Sequence, residues 1–303
     1  QHIFIIIMES AAAAAHPTNR WIPFLAGGIA GVTAKSAVAP LERVKILYQI
    51  RSDKYGTGSI TGSISKIKQL EGIKGLWRGN TATITRVFPY AAVQFFTFET
   101  IKRVYDRPFS SFNMFIAGSL AGGVAVLATY PLDLLRARLA IEVTEKQTGM
   151  ANLFFDIVKR DGIRGVYRGI ESTIIGILPY AGISFSTFET LKAMAPNWAR
   201  DDEGKLHPTY KLFSGGMAGG IAQTVAYPFD VVRRRMQTHG FGDGRVHIDV
   251  KHSSFRSIYR ILTQEGVKNL YKGLSINYIK VIPTSAIAFY TYELSTQILS
   301  RLS

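Results

Sequence analysis

Three short segments combine a proline, an acid and a base at one spacing. They are PLERVK at 40–45, PLDLLR at 131–136 and PFDVVR at 228–233. The acid and the base lie three residues apart, on one face of a helix, and the proline kinks the helix just before them. If three such helices converge, each acid meets the base of its neighbour. The spacing therefore predicts a ring of ion pairs that closes one end of a helix bundle.

We call this set the first ring. Its acids and bases are Glu42, Lys45, Asp133, Arg136, Asp230 and Arg233. Gln49 and Gln237 follow the base by four residues and could reinforce the ring, whereas Ala140 at the same position cannot.

Later in each segment an aromatic residue precedes another acid. The three stretches are FETIK at 98–102, FETLK at 188–192 and YELST at 292–296. They predict a second ring at the opposite end, made of Phe98, Glu99, Lys102, Phe188, Glu189, Lys192, Tyr292 and Glu293. Thr296 stands where the third base is expected, so only two pairs can form. The two rings would be gates of unequal strength at opposite ends of the bundle, which is what alternating access requires.

The whole chain is organised as three copies of one unit. Pro40, Pro131 and Pro228 lie 91 and then 97 residues apart. EGIKGLWRG, DGIRGVYRG and EGVKNLYKG recur after them in the same order. We predict a tail at 1–20 and repeats at 21–107, 108–200 and 201–303.

Each copy contains two weakly polar, mostly uncharged runs long enough to span a bilayer. The six predicted spans are 22–39, 81–98, 112–130, 172–188, 212–227 and 274–292. They are rich in small residues, which lets neighbouring helices approach closely, so simple hydropathy underrates them. The connections 62–72, 151–162 and 253–266 have helical periodicity and fit amphipathic helices on one membrane surface. The fold class predicted is an all-α membrane protein.

Composition limits the chemistry. The chain of 303 residues has 47% hydrophobic and only 19% charged residues, and its net charge of +15 indicates an anionic partner. It has no cysteine, which excludes disulfides, thiol nucleophiles and thiolate metal sites. It also lacks a phosphate-binding glycine loop and paired histidines at metal spacing. We therefore predict no enzyme, no metal and no cofactor. A nucleic-acid-binding protein would explain the charge but not six apolar spans.

Residues that break the threefold pattern are candidates for an asymmetric ligand. Three residues before the prolines of the even-numbered spans come Arg86, Gly176 and Lys280. Lys35 lies five residues before the proline of the first odd-numbered span. The residues at the same position in the other two copies are uncharged. Charges inside a membrane span cost about 2.5–3.5 kcal/mol unless water or a ligand is near. Lys35, Arg86 and Lys280 thus form a predicted cluster suited to phosphates.

Further ligand candidates surround this cluster. Gly176 and Ile177 would leave a flat apolar slot, and Tyr180 could stack on a base. Arg234 and Arg235 face either the interior or the membrane surface, and one of them could draw phosphate toward the first ring.

Another predicted set lies near helix starts, where backbone N–H groups bind phosphate. It comprises Gly72, Arg78, Gly79, Gly162, Arg168, Gly169, Gly266, Lys272 and Gly273.

Over residues 21–299 the sequence resembles the mitochondrial carrier family. The proline–acid–base segments and the later acid–glycine–aromatic–base–glycine motif are matched in all three repeats. The resemblance implies six transmembrane helices around a pseudo-threefold axis and short amphipathic helices on the matrix side. It implies a multi-pass, monomeric protein of the mitochondrial inner membrane, with the first ring facing the matrix and the second facing the cytoplasm. It further implies that adenine lies against the Gly176–Ile177 pair and that cardiolipin occupies the helix-start sites.

Within that family, the stretches VAPLERVK, YPLDLLRARLA and IAQTVAYPFDVVRRRMQ are similar to the coenzyme A carrier branch, which includes the Graves disease carrier. The resemblance implies exchange of coenzyme A or adenosine 3′,5′-bisphosphate for adenine nucleotides. ATP-Mg/phosphate, ADP/ATP and thiamine pyrophosphate transport remain alternatives. Gln237 after Met236 departs from the methionine run of the ADP/ATP carriers.

Overall fold

A computed structural model describes residues 21–52, 55, 59–105, 110–142, 149–200, 206–241 and 253–302. The tail predicted at 1–20 lies outside the described residues.

Within these ranges the chain forms ten α-helices. In chain order they are α1 (Trp21–Gln49), α2 (Ile60–Glu71), α3 (Asn80–Val104), α4 (Ser111–Ile141), α5 (Met150–Val166), α6 (Ile170–Ala193), α7 (Pro208–Thr238), α8 (Ser254–Gln264), α9 (Leu274–Ile279) and α10 (Val281–Leu302). Short 3₁₀ helices cover Ile73–Trp77, Asn197–Ala199 and Val267–Tyr271.

The long helices close into a ring. The most extensive contacts join α3 to α4, α6 to α7, and α10 back to α1. Each interface therefore links one repeat to the next, and the last repeat closes onto the first. Small residues such as Ala26, Ala121 and Ala222 are fully buried along α1, α4 and α7, which allows the helices to approach closely. The arrangement encloses an interior that all three repeats line.

Prolines lie inside the long helices without ending them. Pro40, Pro131 and Pro228 are within α1, α4 and α7, where each lacks an N–H donor and bends its helix. In the third repeat the even-numbered span is divided at Lys280 into α9 and α10. Pro283, three residues later, cannot donate to the preceding turn, but Pro89 and Pro179 lie at the equivalent positions inside the continuous helices α3 and α6, so the proline alone does not account for this break.

Hydropathy alone identifies part of the membrane-spanning structure. Ile22–Gln49, Phe112–Ile141 and Met150–Ala193 are long and apolar enough to cross a membrane by length and composition. The other long helices miss this threshold because they are rich in small polar residues, as the sequence predicts. Large apolar side chains, including Leu120, Leu178 and Ile282, are nevertheless exposed. So much exposed apolar surface suits helices that face lipid.

Glycines set the geometry of the shorter helices. Gly72 and Gly266 have φ of 74° and 84°, and Gly162 introduces a kink in α5 with φ of 67°. Gly79, Gly169 and Gly273 precede α3, α6 and α9 with φ of 80°, 85° and 87°. Such φ values favour glycine. The same glycine turns recur in each repeat, so they set the direction of the chain before each even-numbered span.

Candidate functional site

Two ion pairs of the first ring join neighbouring repeats. Arg136 Nη2 lies 2.6 Å from Glu42 Oε2, and Arg233 Nη2 lies 2.7 Å from Asp133 Oδ2. The acid of each pair comes from the repeat that precedes the base, which is the pairing expected for converging kinked helices. Asp133 is almost fully buried, so these pairs have a desolvation cost that only close geometry offsets.

The third predicted pair is not closed in the described part of the chain. Lys45 Nζ instead donates to Asn277 Oδ1 at 3.0 Å. Asp230 accepts a hydrogen bond from Gln223 Nε2 at 2.9 Å on its own helix. The base and the acid remain within electrostatic range of each other. The expectation of three equivalent pairs is therefore corrected, because a neutral amide from α9 competes for the lysine.

Asp133 is the most heavily contacted acid of the first ring. Gln237 Nε2 donates to it at 2.9 Å, and Arg234 Nη1 lies 3.1 Å from the same oxygen, Oδ2. Arg234 also donates to Gln237 Oε1 at 2.8 Å. Arg234 thus faces the interior, a choice that the sequence leaves open.

The other predicted glutamine behaves differently. Gln49 Nε2 donates to the hydroxyl of Tyr227 at 3.3 Å and, among the described residues, contacts no acid of the first ring. Tyr227 also lies under the Lys45 ammonium at 5.4 Å, and Tyr130 lies under the Arg233 guanidinium at 5.4 Å. Buried tyrosines next to the odd-helix prolines therefore support two of the bases, a feature that sequence reasoning missed. Their signal was the repeated Tyr-Pro dipeptide.

Two of the three predicted substrate cations contact the first ring. Arg86 donates through Nε to Thr129 Oγ1 at 3.0 Å and through Nη1 to Asp133 Oδ1 at 3.1 Å. Its guanidinium also lies over the Tyr90 ring, 5.2 Å from the centroid. Lys280 forms a hydrogen-bonded ion pair with Glu42. Both cations are therefore partners of first-ring acids.

Lys35 completes the predicted cluster but differs from the other two cations. Among the described residues it has no hydrogen bond or ion pair, and its side chain is exposed. It lies within electrostatic range of Glu42, Lys280, Arg136 and Arg86, which places it in the interior and not on the outer surface. The structure thus brings Lys35, Arg86 and Lys280 together.

Positive charge exceeds negative charge in this interior. Its described basic side chains are Lys35, Lys45, Arg86, Arg136, Arg233, Arg234 and Lys280, and its acids are Glu42, Asp133 and Asp230. Seven bases against three acids leave an excess of four positive charges. A small anion of similar opposite charge would neutralise it.

The predicted apolar slot is tighter than expected. A Cβ placed on Gly176 would lie 3.0 Å from the Cβ of Phe229, so this position serves the packing of α6 against α7. Ile177, the next residue, and Tyr180, one turn along α6, are partly buried. Tyr180 lies within electrostatic range of Asp230, which places its ring near the interior.

Arg235 does not face the interior. Its Nη1 and Nη2 donate to the carboxylate of Glu265 at 2.9 and 2.8 Å, and its Nε donates to the carbonyl of Gln49 at 3.1 Å. Burial alone raises the pKa of Glu265, but the hydrogen bonds and charge of Arg235 outweigh it and hold that pKa below its usual value. The predicted substrate role of Arg235 is therefore corrected to a structural one.

Equivalent buried arginines occur in the other repeats. Arg43 donates to Ala140 O at 2.9 Å, and Arg138 donates to Gln237 O at 3.0 Å. With Arg235 they form a cyclic set in which each arginine binds the end of the next repeat's odd-numbered helix. Sequence reasoning missed this set because Arg43 stands one helical turn earlier than its counterparts.

The second ring is open. Among the described residues, its one ion pair is Lys192 with Glu189, 3.3 Å apart within α6, with side chains that are 45% and 36% exposed. Glu293 is exposed, as is Lys102, while Glu99, Phe98, Phe188 and Tyr292 are partly buried. Among the described residues, ion pairs thus join neighbouring repeats at the first ring and not at the second.

The helix-start set lies at the end of the bundle that the first ring closes. Arg78 forms an ion pair with Glu71 at 3.2 Å and donates to the carbonyl of Glu142. Arg168 Nη1 donates to His239 O at 3.3 Å, and the Lys272 carbonyl accepts from Tyr227. The side chains of Arg78 and Arg168 therefore link neighbouring repeats, so an anion bound beside them would rely mainly on backbone N–H groups near Gly72 and Gly162.

Comparison with known proteins gives a consistent result. The profile of the family described as mitochondrial carrier protein matches residues 16–109, 107–197 and 204–303. The chain is 63% identical over 284 residues to mitochondrial substrate carrier family protein P of Dictyostelium discoideum, covering 93% of this chain and 95% of the relative.

Two further relatives are more distant. Solute carrier family 25 member 16 of Homo sapiens is 42% identical over 291 residues, covering 90% of this chain and 87% of the relative. The mitochondrial coenzyme A transporter SLC25A42 of Xenopus tropicalis is 38% identical over 286 residues, covering 92% of this chain and 85% of the relative.

Proposed function

The chain belongs to the mitochondrial carrier family, and from that premise we propose that it exchanges coenzyme A, or adenosine 3′,5′-bisphosphate, for another adenine nucleotide across the mitochondrial inner membrane. The proposal rests first on the interior cluster of Lys35, Arg86 and Lys280. Coenzyme A and adenosine 3′,5′-bisphosphate each carry about four negative charges near neutral pH. That matches the excess of four positive charges among the described interior side chains.

The relatives support the same substrate class. One of them is named a mitochondrial coenzyme A transporter, and the match covers nearly all of both chains. Charge alone would accommodate ATP as well, so the substrate assignment draws on this likeness together with the interior cluster. The aromatic ring of Tyr180 near the interior offers a stacking surface for adenine.

In the proposed transport step, basic side chains that pair with first-ring acids would exchange those acids for phosphates of the substrate. Lys35, which has no partner among the described residues, meets the incoming phosphate first. Arg86 then exchanges Asp133 for phosphate, and Lys280 exchanges Glu42. Each exchange removes a cation from an acid of the first ring. The ring weakens only when a multiply charged anion is present, which would make this a coupled exchanger and not an open pore.

The membrane setting follows from the same proposal. The first ring would face the matrix and the second the cytoplasm, so the conformation described would be the one open to the cytoplasm. We further propose that cardiolipin headgroups bind at the backbone N–H groups near Gly72, Gly162 and Gly266, and that the protein works as a monomer.

The proposal is tested by uptake into liposomes. Purified protein in liposomes that contain ADP should take up labelled coenzyme A, and empty liposomes should not. ATP, adenosine 3′,5′-bisphosphate and thiamine pyrophosphate complete the panel of external substrates. Lys35→Ala should abolish uptake, whereas Lys68→Ala, which removes an exposed lysine of α2, should not. Failure to exchange any adenine compound would refute the proposal.

A further inference from the structure

A phenylalanine lies just beyond the end of the last odd-numbered helix. α7 ends at Thr238, and Gly240 follows with φ of 73°, a left-handed conformation that reverses the chain. The N–H of Phe241 donates to the carbonyl of Thr238 at 3.1 Å, which fixes the turn. The reversal directs Phe241 back toward the bundle.

Phe241 comes from the third repeat but packs against two apolar clusters built mainly from the first and the second. One contains Val44, Ile50 and Ile67 together with Ala140 and Ile141, and the other contains Leu135. Both clusters lie at the end of the bundle that the first ring closes. One side chain therefore packs where residues of the three repeats meet, near the end that the first ring closes.

Polar contacts hold this segment against the second repeat. The guanidinium of Arg138 lies over the Phe241 ring, 5.4 Å from its centroid. Arg168 donates to the carbonyl of His239 at 3.3 Å. The backbone of His239 and the ring of Phe241 are therefore both held against the second repeat.

The threefold pattern predicts no such residue. Four residues beyond Gln49 and Ala140 the sequence has Asp53 and Thr144, whereas four residues beyond Gln237 it has Phe241. Repeat symmetry therefore does not require the aromatic side chain, and residues that break the symmetry are candidates for a function of their own.

We propose that Phe241 is a further gate residue, an apolar plug that shields the first ring from water and must withdraw before that ring can open. Because it packs where the repeats meet, it cannot keep all of its contacts once their ends separate. While it is in place it excludes water, which strengthens the ion pairs behind it. The need for withdrawal rests on the proposed exchange, whereas the shielding does not.

The absence of cysteine from the sequence makes a clean test available. Ile50 is 5% exposed and belongs to the cluster against which Phe241 packs, so Ile50→Cys places one reporter thiol in the buried cluster that Phe241 covers under the proposal. The full chain carrying it is reconstituted in nanodiscs and treated with a membrane-impermeant maleimide, without substrate. Adding Phe241→Ala should raise the labelling rate at least about tenfold, because the closed state loses a large apolar contact. An unchanged rate would overturn the proposal.

Two comparisons separate shielding from general loosening. Tyr259→Ala removes an aromatic ring from α8 that is 67% exposed, and it should leave the labelling rate unchanged; an equal rise in both variants would overturn the proposal. Phe241→Leu and Phe241→Val should give graded intermediate rates, which keeps the test decisive if Phe241→Ala fails to fold. Since no substrate is used, the result stands or fails independently of coenzyme A uptake.

Discussion

Arg86 Nη1 lies 3.1 Å from Asp133 Oδ1, with the arginine 20% and the aspartate 2% exposed. A proposed substrate ligand and a residue of the first ring are thus partners in the conformation closed at that ring. The same holds for Lys280 and Glu42. If an anion binds these cations as proposed, binding would also weaken the ring, because each cation cannot fully serve both partners.

Arg86 and Lys280 have this double role and Lys35 does not. Three alanine variants that would all lose uptake should therefore differ in stability. Arg86→Ala and Lys280→Ala should also lower the stability of the substrate-free protein, since each removes a charged hydrogen bond of about 1.5–3 kcal/mol. Lys35→Ala should leave that stability nearly unchanged, because Lys35 has no partner among the described residues. Thermal unfolding in detergent measures the difference. Equal melting temperatures for all three variants would contradict the double role of Arg86 and Lys280.

The hydrogen bond between Lys45 and Asn277 suggests how the first ring can be strengthened in the third repeat. Asn277→Asp would place a carboxylate where Lys45 Nζ now lies 3.0 Å from an amide oxygen. The substrate-free protein should melt at a higher temperature, and turnover should fall about fivefold if the new pair adds about 1 kcal/mol. Asn277→Leu is the control and should melt lower than the unaltered chain. Faster turnover in Asn277→Asp would show that Lys45 does not restrain opening.

The sequence could predict what repeats. Pairing of Glu42 with Arg136 and of Asp133 with Arg233 followed from one spacing seen three times, because equal spacing on equivalent helices leads to equivalent contacts. It could not predict the competition for Lys45, because Asn277 is distant in sequence and has no counterpart at the threefold-related positions, which hold threonines. Asymmetric contacts of this kind depend on packing that no single motif encodes.

Side-chain direction was the other limit. Arg234 and Arg235 are adjacent, and a helix sends adjacent side chains about 100° apart, so at most one could share the interior with Arg233. Choosing between them required the position of Glu265, which lies on another element. Gly176 shows the same limit, since a glycine in a membrane helix predicts either a ligand slot or close packing, and only the position of Phe229 distinguishes them.

Unequal roles of the acids predict unequal costs of removing them. Asp133→Asn should destabilise the substrate-free protein by about 3–5 kcal/mol, because Arg86, Arg233 and Arg234 lose their shared counter-charge. Asp230→Asn should cost about 1 kcal/mol, since the one hydrogen bond that Asp230 accepts among the described residues comes from Gln223. Chemical unfolding of both variants in the same detergent checks the ranking, and the reverse order would contradict the unequal ring.

The Arg235–Glu265 pair predicts an acid-dependent loss of stability. Burial raises the pKa of Glu265, but the contacts with Arg235 lower it by more than burial raises it. The net pKa therefore lies below the usual value of 4.5. A carboxyl group with a depressed pKa stabilises the fold above its unfolded-state pKa, and this contribution is lost as the pH falls through the folded-state pKa.

Melting temperature should therefore drop below about pH 4.5 more steeply in the unaltered chain than in Glu265→Gln, which should already melt lower at pH 7. Asp156→Asn, at an exposed acid of α5, should follow the unaltered chain. If the Glu265→Gln curve ran parallel to the unaltered one, the pair would not be the source of the acid sensitivity.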